Sequence, residues 1–201
     1  MGSLVFSLEQ LGDPEFTLEI WDIEKRGRQE FIFQEVIRHF HNMAASAKSL
    51  VEHTRLFVNE NYNNTEFIKL SYHEKIQMIF SNNGNAAVIE DLRNYFMHAG
   101  IPPLKMHLSL SSHPDQQEME MSNKVLLELE ILKSWGHWKA RSKKYLAALP
   151  GDFDLLALVS EYRATVNDFH RWFSDLLHKH HAKDIEELHA LDAAIRGITK
   201  S

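Results

Sequence analysis

No cysteine occurs among the 201 residues, which excludes disulfides, thiolate zinc sites, iron–sulfur clusters and thiol nucleophiles. Nowhere do about 18 consecutive apolar residues occur, and Met1 to Gln10 lacks the basic stretch and apolar run of a targeting segment. The expectation is a cytoplasmic protein that does not enter a membrane. Positive charge is also short: 22 Lys and Arg against 28 Asp and Glu leave a formal net charge of −6. That balance opposes generic nucleic-acid binding, because affinity for a phosphate backbone comes mostly from Lys and Arg. A nucleic acid would have to be met locally. The two short basic clusters, Lys25-Arg26-Gly27-Arg28 and Lys139 to Lys144, read more readily as solvated faces than as phosphate tracks. There is no internal repeat, low-complexity tract or His-Glu-x-x-His motif. A chain of this length buries roughly 70% of its unfolded surface, so one self-sufficient domain over residues 1–201 is expected.

What is present is helical periodicity. The first dozen residues show no clear period, and Gly12-Asp13-Pro14 reads as a turn before Phe16 to Ile23, a segment without an assignment. From Gln29 the apolar positions Val36, Phe40, Met43, Ala47, Leu50, Thr54 and Phe57 alternate by four and three, predicting a long amphipathic helix that ends near Asn59 to Asn64. Thr65 caps a second helix to about Phe80. A third, from about Ala86, carries Val88, Ile89, Leu92, Tyr95 and Phe96 on one face and stops at Gly100, Pro102 and Pro103. Over 104–123 the period changes to alternation around a Ser112 to Asp115 turn, predicting a β-hairpin. Helices resume at Val125, Leu129 and Leu132, break at Pro150-Gly151-Asp152, and continue through Leu155, Val159, Tyr162, Val166, Phe169, Phe173 and Leu176 to a last helix with Leu188, Leu191, Ile195 and Ile198. The fold class is therefore all-α: an antiparallel bundle of about five to six helices with a small β-hairpin inserted midway. Residues 29–103 form its first helical part, 104–123 the hairpin and 124–201 the C-terminal helices.

The chemistry-bearing run is Arg93-Asn94-Tyr95-Phe96-Met97-His98. It places a guanidinium, a carboxamide and an imidazole within six residues at a helix end. Arg grips phosphate bidentately, and His exchanges protons near neutrality. At about 100° per residue, Asn94 and His98 share a face, whereas Arg93 and His98 stand roughly 140° apart and flank the apolar stripe. Convergence needs the helix to unwind before His98, or a second copy of the run. Glu52 and Arg55 sit in the long helix; if it packs antiparallel to the third, Glu52 is placed to orient Arg93.

An Arg, a polar residue, three variable residues and a His after a helical segment resembles the signature of the HEPN superfamily. The match covers roughly Gln29 to Pro103 in architecture and these six residues in specificity. Many members are metal-independent endoribonucleases that act as homodimers with their motifs facing across the interface. Carried over, the resemblance implies His98 as general acid or base, Arg93 stabilising charge on the scissile phosphate, and Asn94 positioning them, with Glu52, Arg55 and Tyr95 in support. It implies a 2′,3′-cyclic phosphate product, no cofactor, an RNA or nucleotide partner and a toxin or defence setting with a neutralising protein partner. Other members only bind nucleotides or proteins, which gives the alternative of a non-catalytic dimeric module.

Plainer accounts stand beside these. Arg93 pairs with Glu90 at i,i+3 and His98 caps the helix C-terminus; Glu52 and Arg55 likewise form a surface pair. His39 and His41, and His178, His180 and His181, lack i,i+4 spacing, and the single Glu186-x-x-His189 unit has no second copy, so no metal site is expected. Trp135, His137, Trp138, His170 and Trp172 are a candidate stacking surface for bases, but aromatics at helical spacing are more often core.

Overall fold

Of the 201 residues, the computed structural model describes 2–22, 26–112 and 119–198. Within these, nine helices and three strands follow in the order α1 (Gly2–Gly12), α2 (Pro14–Ile20), α3 (Arg26–Asn61), α4 (Glu66–Phe80), α5 (Gly84–His98), β1 (Leu104–Ser112), β2 (Met119–Leu127), α6 (Leu129–Ser134), α7 (Ala140–Ala148), β3 (Phe153–Asp154), α8 (Leu155–His180) and α9 (Ala182–Ile198). The expected helical bundle with a small β element is what forms.

The four-three stripes explain the core. Val36, Phe40, Met43 and Ala47 of α3, Val88, Ile89 and Leu92 of α5, and Leu155, Val159, Tyr162 and Val166 of α8 are buried together with Val125 and Leu127 of β2. A second cluster, Val58, Tyr72, Phe169 and Phe173, joins α3, α4 and α8 farther along. Helices α3 and α5 run antiparallel: the Phe40 and Phe96 rings meet edge-on at 5.4 Å, while Val51 and Arg55 lie beside Glu90 and Asn94. No helix among the described residues is long and apolar enough to cross a membrane.

The structure assigns one segment that the sequence left open and moves one boundary. Residues 2–22 are mostly helical. Leu4, Leu8 and Leu11 recur at helical spacing and are buried; the period is blurred because α1 is short and Phe6, on its outer face, is exposed. The Gly12-Asp13-Pro14 turn is also a helix start, with the Asp13 carboxylate accepting the Phe16 N–H at 2.9 Å and Pro14 at the first turn of α2. Val125 belongs to β2, opposite Met106, not to a helix. The hairpin runs on to Leu104↔Leu127 because Val125 and Leu127 continue the alternation and cover the core. β3 then pairs with Leu126 and Leu127 to give the order β1-β2-β3. Most of the expected Ser112 to Asp115 turn lies outside the described residues.

Candidate functional site

Helix α5 carries the Arg-Asn run, and both of its ends are set locally. Asn83 caps the start, accepting the Ala86 N–H at 3.0 Å. At the other end Ala99 and Gly100 both donate their N–H to Tyr95 O, at 2.7 and 3.1 Å, and Gly100 takes φ +95°, a conformation that suits glycine and ends the helix. The helix is continuous through His98. It does not unwind before it, so Arg93 and His98 of one chain remain about 140° apart.

The exposure of α5 divides by angle. Val88, Asp91, Leu92 and Tyr95 occupy the buried arc; Glu90, Arg93 and Asn94 are half-buried, and Met97 and His98 are exposed. Tyr95, expected in support of the site, instead packs its ring 5.0 Å from Trp135 and 6.0 Å from Trp138, and burial pushes its hydroxyl pKa up. Glu52 lies on the α3 face that meets α5. Together with Val51 and Arg55 it lines a cleft of about 190 Å³ whose other walls are Glu90, Asn94 and Lys139. The structure thus brings Asn94, Glu52 and Arg55 together and leaves Arg93 and His98 on either side of them.

Two members of this cleft, Glu90 and Lys139, were not among the expected site residues. Lys139 is placed by Asp91, which is 1% exposed. The Asp91 carboxylate accepts the Lys139 N–H at 3.0 Å and the Ser142 hydroxyl at 2.7 Å, closing the N-terminus of α7. The Lys139 Nζ lies 3.2 Å from Asp91 Oδ1, within ion-pairing distance. Behind the cleft, Tyr162 is buried with its hydroxyl unpartnered; burial first, and the charge of Glu90 second, push its pKa up to about 12.

The aromatic residues do not form one surface. Trp138 is buried and donates Nε1–H to Leu132 O at 2.6 Å, with the Trp135 ring 4.9 Å away. Trp172 packs at the second cluster on α8 under Lys75, and burial lowers the pKa of its neighbour His170. Glu186 and His189 are exposed on α9, and among the described residues no group of three or more His, Asp or Glu is arranged to hold a metal ion.

Fold and site together define a helical bundle with a small antiparallel sheet and a mixed-charge cleft beside an Arg-Asn-x-x-x-His helix end. No family model, curated protein or solved structure matches the chain.

Proposed function

We propose that the chain is a HEPN-like homodimeric endoribonuclease that works without a metal through Arg93, Asn94 and His98. One observation carries the reading: the part of α5 that is not buried holds all three residues, with Met97, 64% exposed, between Arg93 and His98. A second copy docked over this arc sets Arg93 of one chain near His98 of the other. The cleft that Asn94 enters adds two cations, Arg55 and Lys139, for the flanking phosphates.

In this scheme His98 takes the ribose 2′-hydroxyl proton, and O2′ attacks phosphorus. The 5′-oxygen leaves and takes a proton from water, giving a 2′,3′-cyclic phosphate and a 5′-hydroxyl, so each site needs one His98 and one Arg93. Arg93 neutralises the charge that grows on the phosphoryl oxygens. Mixed RNA in excess EDTA is the substrate for the test. Cleavage is expected from the wild type and, since acid–base groups are worth about 100-fold or more, a loss of that size in His98→Ala. Intact RNA, or equal cleavage by both proteins, contradicts the proposal.

One observation favours a second reading. Glu52 and Glu90 share the cleft with the two cations and balance its charge, which suits a module that binds a nucleotide or protein without cleaving RNA. Uncleaved RNA together with nucleotide-dependent stabilisation that disappears in Arg55→Ala selects that reading.

A further inference from the structure

A second cavity, of about 440 Å³, lies between the end of α1 and the edge of β2, lined by Glu9, Gly12, Asp13, Asn123, Val125 and Asp154 among others. The sheet explains why it exists. β3 covers only Leu126 and Leu127, so among the described residues no strand lies beside the preceding part of β2 on that edge. Glu128 donates its N–H to Pro103 O, which fixes the alternation of the β1–β2 ladder. Residues 126, 124 and 122 turn their backbone groups to β1, and those of Asn123 and Val125 face the other way. Gly12 sits across that edge, where an added Cβ would stand 4.0 Å from Asn123 O.

Two independent features make this more than a gap. The Asn123 side chain is 2% exposed, and neither its Oδ1 nor its Nδ2 has a partner. A buried carboxamide with both donor and acceptor idle is destabilising and calls for an explanation. The charge around it is also one-sided: Glu9, Asp13 and Asp154 face a single Lys124, whose ammonium is 3.8 Å from Asp154. Leu8, Val125 and Leu156 supply apolar wall. The size and the mixture of apolar wall with a few convergent polar groups are those of a small-molecule pocket.

We infer that this cavity binds a small cation that carries an amide, a role independent of the RNA reading above. The amide's adjacent donor and acceptor pair with Asn123 and the open edge of β2, and the carboxylates of Glu9, Asp13 and Asp154 hold the positive charge. Phosphates and carboxylates are repelled by the same three groups. Two sources share this chemistry: the amino terminus of an extended peptide, and a free amino-acid amide.

Thermal melts of the full chain with three probes test the inference: lysinamide, Ala-Val-Ala amide with a free amino terminus, and its N-acetylated form. The cationic probes are expected to raise Tm saturably, by about 3–6 °C once tenfold above their Kd, and the acetylated form to leave it unchanged. A stronger effect of the tripeptide assigns the site to a peptide terminus, and a stronger effect of lysinamide to a free amide. Gly12 is not among the positive-φ residues and accepts a side chain, so Gly12→Leu fills the cavity and abolishes the shift. Glu9→Gln, at an exposed position, weakens binding severalfold and keeps the test valid should Gly12→Leu not fold. No saturable rise up to about 20 mM of either cation, an equal rise with the acetylated form, or a shift unchanged in both variants overturns the inference.

Discussion

Helices α5 and α9 carry apolar stripes that look alike in sequence and have opposite fates. Leu92 is fully buried on α5, which packs against α3, α7 and α8, whereas Leu188 and Leu191 of α9 are more than 60% exposed. Both helices satisfy the same spacing rule. Periodicity reports that a helix has an apolar face and says nothing of what covers it. The difference comes from partners far away in sequence: α5 is flanked by helices long enough to enclose it, while α9 follows the end of α8 and extends past the core. A 17-residue helix with an uncovered face has little tertiary support, and isolated helices of this length are marginal.

The largest expected effect tests that contrast directly. Leu92→Ala should cost about 3 kcal/mol, a fall in Tm of roughly 6–12 °C, because it leaves a cavity in a filled core. Leu191→Ala should change stability by less than about 0.5 kcal/mol. Urea melts of the two variants give the answer; comparable losses would mean that α9 is covered in solution and would erase the contrast.

A smaller effect sharpens the buried side of the comparison. Tyr162 of α8 holds an unpartnered hydroxyl whose pKa is raised to about 12 by burial and by Glu90. An unfolded tyrosine ionises near pH 10, so above that pH the unfolded chain has lost a proton that the folded chain keeps. The Tyr162 contribution is therefore whole below pH 10 and is lost as pH climbs toward 12. Tyr162→Phe should raise stability at pH 7 by about 1 kcal/mol and flatten part of the alkaline decline. An unchanged slope between pH 9 and 11 in denaturant melts would show that Tyr162 does not titrate as described.

The residues that were legible in sequence, and those that were not, divide along the same physical line. Val36 to Phe57, Leu92 to Phe96 and Leu155 to Leu176 announce their helices because each element's own spacing carries the signal, and the hairpin announces itself by alternation. Helix α1 escaped because three turns with one outward Phe6 are too short to show a period. The site was only half visible. Arg93, Asn94 and His98 fall within six residues of the chain, and Glu52 and Arg55 line a cleft with Glu90 and Asn94 because α3 and α5 run antiparallel. Asp91, Glu90 and Lys139 were not found. An acid within an apolar stripe looks like a surface residue, and the partners that bury Asp91, the Lys139 N–H and the Ser142 hydroxyl, lie 48 and 51 residues away. The open edge of β2 was hidden for a similar reason, since it depends on the brevity of β3 at Phe153–Asp154.

The continuous α5 leaves one way for Arg93 and His98 to serve a single phosphate, namely from two subunits. Mixing Arg93→Ala with His98→Ala tests this most directly. Each variant alone should be inactive on RNA in EDTA. After denaturation and refolding together, random pairing makes half of the dimers mixed, each with one intact site of two, so about a quarter of wild-type activity should return. A mixture as inactive as its components, beside an active wild type, would contradict a site shared between subunits.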